Sequence, residues 1–391
     1  MNPTPLSFDN TEIAFANKSN SELRKSTWLF SLMNNPSLVS IGSSLTPLAF
    51  KWGLPIKSLV KNTIYNQFCG GETLAECTLA INKLSKYNVQ TILDYGVEGK
   101  ETEEAFDENL QEMLKAIAFA KTNGHVPFAS IKVTGYAHFA LLEKLHSKTA
   151  LTETEKTEWA NAKTRMHTAC KAASDAGISL MIDAEETWIQ YPIDDLADEL
   201  MKAYNTKRAV VLNTFQFYRT DRLTFLKASF DKAIANNYIL GAKLVRGAYM
   251  EKERARATEL NYQSPIQPNK ESSDKDYNSA VEFCINNIER INCCIGSHNE
   301  YSNKLGADLA EKKNIPHNHP HLHFSQLLGM SDNLTFNLAA AGYNASKYVP
   351  YGPVKDVIPY LMRRAKENTS IGGQTSRELA LIRTEVERRK K

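Results

Sequence analysis

Ala209–Gln216 reads AVVLNTFQ. It is a short apolar run, rich in β-branched residues, that closes on a polar side chain, which is the pattern of a buried strand. Runs of the same kind lie about thirty residues to either side, SLMIDA (Ser179–Ala184) upstream and AKLVR (Ala242–Arg246) downstream, the spacing of strand–helix–strand units. The rhythm continues outward. TILDY (Thr91–Tyr95) and ASIKVT (Ala129–Thr134) precede these runs, and CCIGS (Cys293–Ser297), HLHFSQ (His321–Gln326) and SKYV (Ser346–Val349) follow them. Between the runs lie amphipathic stretches. Glu103–Lys121 places Phe106, Leu110, Met113, Leu114, Ile117 and Ala118 at helical spacing, and Asp276–Ile291, Glu300–Lys313 and Val354–Asn368 behave alike. Gly124 and Asp175-Ala176-Gly177 mark helix ends before strands. A βα unit repeated eight times predicts a closed parallel barrel. A doubly wound open sheet is the alternative, and no GxGxxG follows the first strand to support a nicotinamide-binding form of it. Gln263–Asp274 reads as a polar loop.

Composition narrows the function classes. The chain has 391 residues, 42% apolar and 23% charged, enough for a large core. Its net charge of +3, with no dense basic run, excludes nucleic-acid binding. Cys69, Cys77, Cys170, Cys284, Cys293 and Cys294 show no metal or redox spacing and read as buried thiols in a reducing compartment. Met1–Asn20 carries Asp9 and Glu12 and no apolar core of a signal peptide, so a cytoplasmic place is expected. Residues 1–90 read as a helical region, 91–370 as the barrel and 371–391 as a tail whose Arg388-Arg389-Lys390-Lys391 end is solvated. The apolar segment Leu38–Leu59 is broken by Gly42, Pro47, Gly53 and Pro55, so it lies on a membrane or packs on the body of the protein, and does not span.

In a (β/α)8 barrel the chemistry sits at the C-terminal ends of the strands. Polar residues recur there: Lys132, Asp183 and Glu185, Gln216, Lys243 and Arg246, Ser297-His298-Asn299, Gln326, and Tyr348 with Tyr351. One such residue is an ordinary satisfied group, but six strands ending this way suit an extended anionic ligand. The last helix adds Arg363, Arg364 and Glu367, a solvated ion-pair face when taken alone.

The longer motifs are KLVRGAYMEKE (Lys243–Glu253), KYVPYGPVKDVIPYLMRRAKEN (Lys347–Asn368), SHNE (Ser297–Glu300), QLLGM (Gln326–Met330) and FCGGETL (Phe68–Leu74). With ILDYGVEG, SIKVTGY, MIDAEE and NTFQFYRTD, they resemble proline dehydrogenases, in the single-function form similar to the mitochondrial enzymes. The resemblance implies a distorted (β/α)8 TIM barrel whose last helix lies over the catalytic mouth, with FAD as cofactor. The implied reaction oxidises L-proline to 1-pyrroline-5-carboxylate by hydride transfer to flavin N5. Electrons pass on to a membrane quinone or electron-transfer chain, which gives the protein a peripheral place at an inner membrane. A separate 1-pyrroline-5-carboxylate dehydrogenase is implied downstream, since no such domain follows Lys391.

By the same resemblance Arg363, Arg364 and Lys132 bind the proline carboxylate, and Asp183 positions Lys132. Tyr249 and Leu327 pack against the pyrrolidine ring and Tyr348 closes the pocket. Gln216, Lys243, Val245, Gly247, Ala248, Ser297, His298 and Glu367 align with FAD-contacting positions, Arg246 joins Lys243 as a cation on the flavin side, and Glu98 is the gate.

Other readings stay open. His317, His319, His321 and His323 alternate, as metal ligands on one strand face would, but most of them precede the seventh strand and read as an exposed loop. A Schiff-base aldolase using Lys132 or Lys243, a 4-hydroxyproline dehydrogenase, and a non-catalytic flavin or proline sensor are the remaining alternatives.

Overall fold

The computed structural model describes residues 6–52, 54–96, 101–370 and 374–391. Eight strands form, each on its expected run: β1 Gln90–Tyr95, β2 Phe128–Ile131, β3 Ser179–Ile182, β4 Val211–Gln216, β5 Leu240–Val245, β6 Ile291–Gly296, β7 Leu322–Leu327 and β8 Asn344–Tyr351. They follow one another in chain order around a closed barrel. The chain divides into two compact units, Met1–Glu98 with Ser325–Lys391, and Gly99–Phe324.

The unit Gly99–Phe324 carries β2 to β6. Leu180 pairs with Val211, Asn213 with Ala242 and Lys243 with Cys294 in parallel register. Local chemistry sets the helix limits. The Thr102 hydroxyl caps Glu103–Lys121, and Thr152 with Glu155 makes a reciprocal box at the start of Glu153–Ala176. That helix ends at Gly177 in the left-handed region, as the Asp175-Ala176-Gly177 sequence signalled.

The other unit opens with helices and holds two apolar clusters. Tyr65, Phe68, Met330, Val357 and Leu361 build one. Phe15, Leu23, Phe30, Leu379 and Ile382 build the second, where the helix Gln374–Arg388 packs on Asn20–Met33. β1 pairs with β8 from Gln90–Ser346 to Tyr95–Tyr351. The FCGGETL segment then lies along the end of β8: Gly70 N donates to Pro350 O at 2.8 Å, and a Cβ on Gly70 would meet Val349 Cγ1 at 2.5 Å.

Several expectations are corrected. β2 stops at Ile131 rather than Thr134, and Tyr348 and Tyr351 lie within β8 rather than flanking it. The loop expected to Asp274 ends at Asn269, whose side chain accepts from Ser272 N at 2.8 Å and starts the helix Lys270–Asn286. The basic end is not a free solvated tail. Glu385, wholly buried, takes Arg388 and Arg389, and Arg389 also donates to Phe15 O at 2.9 Å and Lys18 O at 2.7 Å. The histidine run is not an exposed loop throughout. His323 is buried edge-on to Phe128 with centroids 4.8 Å apart, and burial pushes its pKa down to about 4. His321 Nδ1 meets Ile288 O at 2.8 Å. Among the described residues no three His, Cys, Asp or Glu side chains are grouped to hold a metal ion. All six cysteines are buried and none is in a disulfide. Among the described residues no helix is long and apolar enough to cross a membrane.

Candidate active site

After Ile131 the chain stays extended through Lys132 (φ −109°, ψ 135°) and then makes a single tight turn, Val133–Gly135. Ser130 and Lys132 are two residues apart on extended backbone, so they face the same side. Both reach Asp183, the residue after β3. Ser130 Oγ donates to Asp183 Oδ1 at 2.9 Å, and Lys132 Nζ stands 3.5 Å from Oδ2. Lys243 of β5 completes the group, with Nζ 2.5 Å from Oδ1. The three charged side chains are only 19%, 13% and 10% exposed, in the order Lys132, Asp183, Lys243. In such a setting charge-assisted hydrogen bonds are stronger than in water, and one carboxylate orients two amines.

Around this group the strand ends are tied together. Gln216 Nε2 donates to Glu185 O at 2.8 Å. Glu185 is itself buried and accepts from Thr134 N (3.2 Å) and Thr134 Oγ1 (2.6 Å); burial raises its carboxyl pKa to about 7. Beyond the strand ends, Phe217 N donates to Val245 O and Tyr218 N to Arg246 O, so β4 and β5 continue to run side by side. This brings the Tyr218 ring over Gly247, where a Cβ would lie 2.4 Å from ring atoms and φ is +134°. Only glycine fits there. Arg246 is fixed on three sides, by Asp274 Oδ1 (2.7 Å), Ser297 Oγ (2.9 Å) and Ser302 Oγ (3.0 Å), and its guanidinium lies 4.3 Å from the Tyr277 ring centre. Val245 and His298 are half-buried, whereas Gly247 and Ala248 are exposed. Tyr249 leads into the helix Met250–Glu259. Glu253 of that helix is wholly buried and accepts from Thr187 N (2.7 Å) and Thr187 Oγ1 (2.6 Å), which pins the helix in place.

The second unit holds the remaining expected residues. Leu327 ends β7 and packs on the cluster that contains Met330 and Tyr65. Tyr348 is buried in β8, and its carbonyl accepts from Leu328 N at 2.9 Å. The rings of Tyr95 and Tyr351, paired across β1 and β8, are 5.3 Å apart. Arg363 and Arg364 lie on the helix Ile358–Ser370, both half-buried, with the Arg364 guanidinium 5.4 Å from the Tyr360 ring centre. Glu367 is on the same helix but its side chain is outside the described residues, as is Glu98 altogether.

One feature beside Tyr348 was not anticipated. Lys347 points away from its neighbours and is wholly buried. It meets Asp332 Oδ1 at 2.8 Å and donates to Met330 O at 2.5 Å. Asp332 also takes Lys18 at 2.9 Å, and Glu378 accepts from Ser331 N at 2.8 Å. The flanking lysines hold the Asp332 carboxyl at about 2, while burial raises Glu378 to about 7. Two lysines and two carboxyls thus share one desolvated place, where removing any member strands another charge. Ser130 was also missed, although its two-residue offset from Lys132 was a usable signal.

The structure therefore brings Lys132, Asp183 and Lys243 together, joins Arg246 to Ser297, and sets Gly247 against Tyr218. Comparison with known proteins agrees with this architecture. Residues 77–377 match the family described as proline dehydrogenase. A mitochondrial proline dehydrogenase 1 of Dictyostelium discoideum is 30% identical, over 99% of this chain and 76% of that protein. Mitochondrial proline dehydrogenase 2 of Arabidopsis thaliana is 32% identical, over 85% of this chain and 79% of its own length. Among solved structures, proline utilization A from Bdellovibrio bacteriovorus, inactivated by N-propargylglycine, superposes with a TM-score of 0.71 at 21% identity. That match covers 79% of this chain but 33% of the longer protein, and it speaks for the fold.

Proposed function

The chain belongs to the proline dehydrogenase family, and on that premise we propose that it oxidises L-proline to 1-pyrroline-5-carboxylate, with FAD as resident cofactor and a quinone as onward electron acceptor. The observation that most supports this reading is Asp183 held between Lys132 and Lys243 where strands end, a preset cationic array suited to an amino-acid anion. In this reading Lys132, Arg363 and Arg364 bind the substrate carboxylate, and Asp183 positions Lys132. Tyr249 and Leu327 pack against the ring, and Tyr348 closes around its carbons. A clamped carboxylate fixes the ring's orientation, and orientation is a large share of the barrier for such a transfer. The ring nitrogen must be neutral so that its lone pair supports the forming C=N bond. No protein nucleophile is required.

The fit to FAD rests on the open backbone at Gly247 and Ala248, beside the fixed Arg246 guanidinium and the Ser297 hydroxyl, a donor set suited to an extended anionic ligand. Gln216, Lys243, Val245, Arg246, Gly247, Ala248, Ser297, His298 and Glu367 would hold it. When bound, FAD supplies the two-electron acceptor for the ring C–H bond next to nitrogen. Lys243 adds positive charge on that side of the site. The imine product still carries an oxidisable carbon, which calls for a separate 1-pyrroline-5-carboxylate dehydrogenase.

The visible spectrum of the purified protein tests the reading. Flavin bands that bleach on adding L-proline and return with a quinone analogue are expected. A colourless protein that cannot be reconstituted with FAD, or a yellow one indifferent to L-proline, rejects it.

A further inference from the structure

Residues 23–71 hold five basic residues, Arg24, Lys25, Lys51, Lys57 and Lys61, and no aspartate or glutamate. The same span carries an unusual share of exposed large apolar side chains. On the helix Asn20–Met33, Trp28 is 55% exposed and Leu32 lies one turn beyond it on the same face. On the helix Pro36–Lys51, Leu38, Ile41 and Leu45 recur at positions i, i+3 and i+7 and are all about half exposed or more. Trp52, at 71%, follows directly. Scattered apolar residues on a surface need no explanation, but two adjacent helices presenting one apolar stripe do. The helix Pro36–Lys51 is apolar on both sides. Val39 and Phe50 on its inner side pack on the cluster containing Leu361, and the helix lies against Ile358–Ser370, which bears Arg363 and Arg364. Its outer stripe is surplus to the core.

We propose that this outer face is a docking surface for a membrane rich in anionic lipid. The choice of occupant follows from the surroundings. Arg24 and Lys25 are exposed four and three residues before Trp28, on the side of the helix that Trp28 occupies. Lys57, 61% exposed, lies on the other flank and also pairs with Glu72. Cations bordering an apolar stripe attract anionic headgroups, while the stripe enters the boundary with the acyl chains. Tryptophan favours that boundary because its ring is apolar and its N–H is polar. Since no described helix can cross a membrane, the contact is one of lying on the surface. A second copy of the chain is a poorer occupant. A two-fold contact sets the same patch against itself, and the cationic border would then face its own charge. The docked side is one helix layer from the helix with the arginine pair, a placement that suits an acceptor dissolved in lipid.

The test uses the FAD-loaded protein and two vesicle types, phosphatidylcholine alone and phosphatidylcholine with phosphatidylglycerol. Co-sedimentation and a blue shift of tryptophan emission are read, neither of which needs turnover, so failure here is separate from failure of the proline reading. Binding to the anionic vesicles, weakened by salt, is expected. Arg24→Gln and Lys25→Gln each weaken it roughly fivefold. Trp28→Ser and Trp52→Ser each weaken it on the order of tenfold. Flavin content and dye-linked activity stay at wild-type level, which shows that the variants are folded. Three results overturn the proposal: no binding to either vesicle, binding unchanged in the combined variant, or a wild-type dimer that the variants convert to monomer without any lipid binding.

Discussion

Lys243 Nζ lies 2.5 Å from Asp183 Oδ1, the same oxygen that accepts from Ser130, while Lys132 approaches the other oxygen at 3.5 Å. One carboxylate therefore sets the position of two amines that come from different strands. Asp183→Asn keeps the shape and removes the charge. A fall in kcat/KM for proline of roughly tenfold to a hundredfold is expected, the size of a lost charged hydrogen bond. Because the groups act together, Asp183→Asn and Lys243→Met should be non-additive in a double-mutant cycle. Additive losses in steady-state kinetics would dissolve the pairing.

The arginine pair makes a different prediction. Arg363→Met or Arg364→Met should raise the proline KM by about ten- to a hundredfold while flavin remains bound, because each removes a charged contact to the substrate carboxylate alone. Arg364 also stacks near Tyr360, so thermal unfolding should be followed alongside. A wild-type KM in either variant removes that residue from the substrate site.

Tyr348 is buried in β8 with its backbone committed to Leu328, so its ring has little freedom to move aside. Tyr348→Ser opens room at the ring carbons. Its preference should shift from L-proline toward 4-hydroxyproline in kcat/KM measured with both substrates. An unchanged ratio rejects the role.

Glu185 predicts a pH dependence of stability. Its folded pKa is raised from 4.5 to about 7 by burial. The folded protein thus keeps a proton that the unfolded chain releases, and its contribution is full below about 4.5 and lost as pH rises through 7. The loss is on the order of 3 kcal/mol. Glu185→Gln, which retains an acceptor for Thr134, should flatten the fall in stability between pH 5 and 8, a range chosen to span the shift. Denaturant melts across that range check it. A variant whose profile parallels the wild type refutes the assignment.

The strands were legible because parallel barrel strands are buried on both faces and read as unbroken apolar runs, as in AVVLNTFQ. Lys132, Asp183 and Lys243 were legible as strand-end polar residues, but that Asp183 would serve both lysines was not, since it depends on register between strands. The limit of β2 was misjudged because VT after Lys132 looks β-branched, whereas the backbone there turns. The helix start at Asn269 hid inside a polar stretch, where only the cap distinguishes helix from loop. Arg388 and Arg389 looked solvated because Glu385, three and four residues earlier, reads as an ordinary surface pair until it is seen to be buried. Lys347 was quoted in a motif but given no role, since Lys18 and Glu378 lie at opposite ends of the sequence and no periodicity links them.

That last group has a consequence for biosynthesis. Lys347 is next in sequence to Tyr348, and its charge balance draws on Lys18 and Glu378. A nascent chain has Lys18 early, yet β8 cannot settle until residue 378 has left the ribosome. The barrel's final strand is thus fastened by segments made at very different times, and a message cut short before that codon would yield a chain with two ammonium groups and a single carboxylate to share.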